Sequence, residues 1–178
     1  MLSMEQERAE IKKDSGFPFL KLGAFSLAAI YFLFFATNAK QWNFFDGVDL
    51  IIHEAGHVFF MPFGQMIYMA GGSIMQLLVP LIFVIYFARR REWMSCSVVS
   101  FWLGQSFINL SVYISDAIDM ALPLLGGGIH DWNFLLGELG LTPLAPVFGG
   151  VCYFIGVSVM IAAATLGLFA IVYGKNSR

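Results

Sequence analysis

The sequence predicts an all-α polytopic membrane protein: about five transmembrane helices in a single integral membrane domain, residues 1–178. Two observations carry this. Of the 178 residues, 58% are hydrophobic and 12% are Asp, Glu, Lys or Arg, about half the charged share of a soluble domain. The charges are also absent from long stretches: residues 22–39, 58–88, 93–115 and 139–174 contain none. Each stretch is as long as a helix needs to cross the hydrocarbon core, or longer.

A first helix is predicted from about Phe17 to Ala36, with Pro18 at its start, where a missing N–H costs nothing. The linker NAKQWNFFDG follows, its Trp42, Phe44 and Phe45 suited to a membrane interface. A second, short helix is expected from Val48 to about Pro62, with Asp46 or Asp49 near its cap. The segment PFGQMIYMAGG, with its glycines, predicts a re-entrant loop or hairpin, tolerable at depth only against protein or water. SIMQLLVPLIFVIYFA then forms the third helix, ending at Arg89–Arg91, and the fourth runs from Trp93 to about Met120. Pro123 and Gly126–Gly128 break the chain before the short segment DWNFLLGELG. The last helix lies within 144–173.

The bias of basic residues places Arg89–Arg91 and Lys175/Arg178 on the cytoplasmic side, with Lys12/Lys13 pulling the other way. A cell (inner) membrane is the expected location. The opening MLSMEQERAEIKKD does not have the pattern of a signal peptide. With a formal net charge of -2 and no basic stripe, a nucleic-acid partner is not expected. Cys96 and Cys152 both lie in apolar runs and read as buried small hydrophobes rather than a disulfide.

Within the second helix stands IIHEAGHV. His53 and His57 are four residues apart and so share a helix face one turn from each other, the geometry that lets two imidazoles hold one zinc ion. Glu54 lies beside them as a general base able to move a proton from water to a leaving nitrogen. In a helix made for lipid, three such polar groups need partners, which favours a metal over chance.

A catalytic zinc usually has three protein ligands and one open position. The fourth helix offers Gln105, Asn109, Asp116 and Asp119 at offsets that stay on one face, interrupted by Val112. Asp116 is the preferred third ligand if helices two and four pack side by side. His130, Asp119 and Asp131 are the rivals, and Asp131 also reads as a helix cap. Residues that do not bind the metal can orient those that do. Asn109 and Gln105 read equally as interhelical hydrogen-bonding amides or as holders of an extended substrate.

Residues 48–120 resemble the core of the site-2-protease-like intramembrane zinc metalloproteases. The resemblance rests on HEAGH at 53–57, on Gly71-Gly72 opening GGSIMQLLVP, and on a later helix with Asn109 and then Asp116. It implies His53, His57 and Asp116 as ligands of Zn2+, Glu54 as general base, and Asn109 as a catalytic residue that steadies substrate. The family has prolines between the asparagine and aspartate and a glycine after the aspartate; this chain reads NLSVYISDA, which leaves His130 open as a ligand. The implied activity is hydrolysis of peptide bonds in or near the lipid bilayer, on a membrane protein or membrane-associated peptide. A transporter or metal-handling protein that uses the His/Asp cluster as an ion site is the alternative, weakened by the lack of an inverted repeat.

Overall fold

The computed structural model describes residues 17–124 and 128–173. Six α-helices and two short 3-10 turns make up the described chain, with no strand among the described residues. They are α1 (Phe17–Thr37), α2 (Phe44–Phe60), a turn at Met61–Phe63, α3 (Gln65–Arg89), α4 (Trp93–Ser115), α5 (Asp131–Glu138), a turn at Thr142–Leu144, and α6 (Ala145–Tyr173). Three segments are long and apolar enough to cross a membrane: Gln65–Arg89, Trp93–Ser115 and Thr142–Val172. Leu22–Thr37 is a shorter apolar helix. Lys12/Lys13, Gly126–Gly127 and Lys175/Arg178 lie outside the described residues.

Helix α4 is the most buried of the three long helices and organises the rest. On one side α1 and α6 pack against it through Phe25, Phe32, Phe101, Ile108, Met160 and Ala163. Phe32 and Phe101 stack with centroids 5.6 Å apart. Ser97 Oγ donates to the Ala163 carbonyl at 2.6 Å, which ties α4 to α6. The outer faces of α3 and α6 present large apolar side chains, among them Ile82, Phe154 and Ile161, as a lipid-facing surface requires.

Three expectations are corrected. The second helix begins at Phe44 rather than Val48, because Asn43 caps it: its side chain accepts from Phe45 N at 2.9 Å, while Asp46 reaches back to Asn43 N at 2.7 Å. The segment after α2 is a turn and the start of a helix rather than an irregular loop or hairpin. The chain reverses within Met61–Phe63 and Gly64, whose φ of +92° suits glycine, and α3 starts at the next residue. Its backbone groups then pair within the helix, the general solution where water is scarce. The fourth helix ends at Ser115, not Met120, because Asp116 caps the turn that follows: Oδ1 accepts from Ala121 N and Oδ2 from Leu122 N, both at 3.0 Å.

Candidate metal centre

Helix α2 carries His53, Glu54 and His57 and lies antiparallel against α3 at a close crossing where Gly56 and Gly71 meet. A Cβ on Gly56 would meet the Gly71 carbonyl, and one on Gly71 would lie 2.7 Å from Phe60 Cβ. Gly72 is bare for a different reason: the His53 imidazole fills the space where its Cβ would stand. The sequence predicts a loop that ends at Gly71-Gly72, with the pair opening the third helix. Here both residues sit inside a helix and admit the neighbouring helix and the His53 ring. A Gly72→Ala substitution is therefore expected to displace His53 and destabilise the fold by about 1–3 kcal/mol, the usual cost of overpacking. Thermal unfolding together with zinc content measures both effects.

The two imidazoles are held from behind by carbonyl oxygens. His53 Nδ1 lies 3.2 Å from Gln76 Oε1, and His57 Nδ1 lies 2.8 Å from the Tyr68 carbonyl. A carbonyl can only accept, so each Nδ1 carries the hydrogen. Each Nε2 then points forward, at a shared third group. That group is Asp131, whose Oδ2 is 2.8 Å from His53 Nε2 and 3.1 Å from His57 Nε2. All three residues are buried.

Asp131 arrives from helix α5, outside the 48–120 segment that carries the resemblance. Several contacts hold it there. Trp132 Nε1 donates to Ser73 Oγ of α3 at 3.0 Å, and Asn133 Nδ2 donates to the Ala117 carbonyl at 2.8 Å. The Asp131 amide donates to the Tyr113 hydroxyl at 3.2 Å. His130 caps α5 through Nδ1, which accepts from Asn133 N at 3.2 Å, so Asp131 need not serve as the cap and its carboxylate is free to turn toward α2.

With both Nδ1 atoms protonated, two imidazole lone pairs and one carboxylate oxygen converge on a single point. Such a convergence of acceptors demands a positive charge, either protons on the rings or a metal ion. Burial opposes ionisation of Asp131, and its contacts with His53 and His57 more than offset this, holding the carboxyl below the ordinary carboxylate range. The spacing also fits a metal. Tetrahedral zinc with ligands about 2.0 Å away sets them about 3.3 Å apart, and the three donor atoms all lie within 4.8 Å of one another. Small shifts of the three side chains suffice to admit the ion. The donor set of two imidazoles and one carboxylate is a known catalytic zinc set that leaves a fourth position open. The structure thus holds a His53, His57, Asp131 group able to bind a metal ion.

The other predicted residues fall into distinct places. The carboxylate that meets the histidines is Asp131, not Asp116, because Asp116 lies past the end of α4 with its oxygens engaged by Ala121 and Leu122. Asp119 is exposed beyond it. His130 does not join the pair either. Its ring stacks on Tyr113 with centroids 4.3 Å apart, and its Nε2 faces Asp116 Oδ2 at 3.5 Å. Burial pushes its pKa down despite the two nearby aspartates. Glu54 borders a cavity of about 190 Å³ that His53, Gln76, Asn109, Tyr113 and Leu122 also line.

Asn109 and Gln105 both make interhelical hydrogen bonds. Asn109 Nδ2 and Gln105 Nε2 donate to Asp46 Oδ1 of α2 at 2.9 and 3.0 Å. Asn109 Oδ1 also accepts from Gln76 Nε2 at 2.9 Å. Gln76, which touches His53 directly, escaped the sequence reading. Its signal was available: it is a buried amide in the uncharged run 58–88, where a polar side chain needs a partner. Compared with known protein families, curated proteins and solved structures, the chain gives no match.

Proposed function

We propose that the chain is a zinc-dependent intramembrane endopeptidase that hydrolyses peptide bonds in or near the bilayer. The observation that carries this reading is the convergence of His53 Nε2, His57 Nε2 and Asp131 Oδ2, with Glu54 beside the first ligand on a cavity of about 190 Å³. A zinc ion held there supplies Lewis acidity to a scissile carbonyl and to an attacking water. His53, His57 and Asp131 hold the ion; Gln76 and the Tyr68 carbonyl fix the rings so that Nε2, not Nδ1, faces it. Glu54 accepts the proton of the attacking water and delivers it to the leaving nitrogen. Asn109, whose amide also lines the cavity, keeps Gln76 in place. On this reading the chain crosses a cell membrane several times, with α1 and the short α2 joining the three long helices in the bilayer, as in the site-2-protease-like enzymes it resembles.

The substrate is a membrane protein or membrane-associated peptide, whose helix must uncoil locally before its scissile carbonyl can be reached. Detergent-purified protein incubated with a set of single-span membrane peptides is expected to generate new termini, read by mass spectrometry. A chelator should stop their formation and added zinc should restore it. Zinc flux into sealed vesicles with no new termini would instead identify a metal transporter.

A further inference from the structure

We infer that Asp46 is a positioning residue for the metal centre, acting on His53 through two side-chain amides. The proposal rests on the reading of His53, His57 and Asp131 as a metal site. From His53 to Asp46 runs an unbroken series of hydrogen bonds, all directed the same way. His53 Nδ1 donates to Gln76 Oε1 at 3.2 Å, Gln76 Nε2 donates to Asn109 Oδ1 at 2.9 Å, and Asn109 Nδ2 donates to Asp46 Oδ1 at 2.9 Å. The series passes from α2 to α3 to α4 and back to α2, two turns before the histidine where it began.

The direction is set at the Asp46 end. Its carboxylate takes four hydrogen bonds: Oδ2 from the backbone N and the Nδ2 of Asn43, both at 2.7 Å, and Oδ1 from Gln105 Nε2 at 3.0 Å and Asn109 Nδ2 at 2.9 Å. A carboxylate with every contact a donor is an acceptor only. Asn109 must therefore present its NH2 to Asp46 and its oxygen to Gln76. Gln76 must in turn present its NH2 to Asn109, an orientation that the Ser106 carbonyl, 3.3 Å from the same nitrogen, reinforces. What remains for His53 is the Gln76 oxygen, which holds the hydrogen on Nδ1 and leaves Nε2 bare for the metal. An amide can be turned over at little cost when nothing fixes it; turned over, Gln76 would offer NH2 to Nδ1 and favour the wrong tautomer. Asp46 prevents this from two residues away. Its neighbour Asp49, as deeply buried, accepts from Trp102 and Ser106 and also interacts with the Gln76 side chain, which favours the same NH2 orientation there.

Asp46 also belongs to the N-terminal cap of α2, so the test must separate the two roles. Zinc affinity is read by competition with a chromogenic chelator on detergent-purified full-length chain, and fold by thermal unfolding. Asp46→Asn is expected to lower zinc affinity by about 10-fold, the low end of what losing a group bonded directly to a ligand costs, because two amides stand between Asp46 and His53. Asn109→Leu, which cuts the series and leaves the cap's bonds between Asp46 and Asn43 in place, should reproduce that loss. Asn43→Ala weakens the cap and removes one donor to Asp46 Oδ2 but leaves the Oδ1 bond from Asn109, so it should lower the unfolding temperature while keeping the affinity. Adding Gln76→Glu to Asp46→Asn puts an acceptor-only group directly behind His53 and allows the amide at 109 to reverse, so the double variant should regain most of the affinity. A cap defect would gain nothing from a change at position 76. Unchanged affinity in Asp46→Asn or Asn109→Leu, or no recovery in the folded double variant, overturns the proposal. Wild-type protein that holds no zinc overturns it together with the metal reading on which it rests, and is distinguished by that first measurement.

Discussion

Asp131→Asn is expected to strip zinc from the protein, while Asp116→Asn leaves the zinc in place. Asp131 is the only carboxylate within contact distance of both histidine Nε2 atoms among the described residues, and its helix is pinned by Trp132 and Asn133. An asparagine there has the same shape but no charge to balance a dication in a buried site. The loss of affinity should exceed the roughly 10- to 100-fold typical of an outer-shell change. Asp116 instead holds the amides of Ala121 and Leu122, so its replacement should cost about 1 kcal/mol of stability and little metal. Elemental analysis of both variants after dialysis checks the contrast. The reverse pattern would return the third ligand to the end of α4.

Glu54→Gln is expected to abolish peptide cleavage and spare zinc binding. Glu54 contributes no atom to the metal group and is exposed to the cavity rather than buried with the ligands. Its replacement by the isosteric amide removes a proton acceptor and leaves the ligands untouched. A positioned general base contributes about 10²- to 10⁴-fold, so the cleavage rate should fall by that factor at equal zinc content. A variant that cleaves at the wild-type rate would take the general-base role away from Glu54.

Which parts of this arrangement could be seen in the sequence follows from how local each part is. His53, Glu54 and His57 lie within one helical turn and a half, so spacing alone put both imidazoles on one face. The long helices were legible because charge is absent over whole spans. The third ligand was not, since it depends on contacts between distant segments. Trp132 with Ser73 and Asn133 with Ala117 bring Asp131 inward, and no periodicity in residues 128–138 announces them. Asp116 looked the better candidate on a helix drawn to Met120. It is itself the residue that ends that helix, by capturing two backbone amides beyond it. Gly71-Gly72 carried the same ambiguity. A glycine pair signals either a turn or a close approach, and only the positions of Phe60 and the His53 ring decide for the second.

The most direct test of the metal centre is X-ray absorption at the zinc edge on purified wild-type protein, paired with Asp131→Asn and a His53→Ala/His57→Ala double variant. The arrangement predicts about one zinc per chain, with two imidazole nitrogens and one carboxylate oxygen at about 2.0–2.1 Å and a further light ligand in the open position. The carboxylate contribution should disappear in Asp131→Asn, and the metal itself in the double histidine variant. Zinc that stays bound with an unchanged coordination shell in Asp131→Asn, or equal zinc content in the wild type and the double variant, would contradict the account.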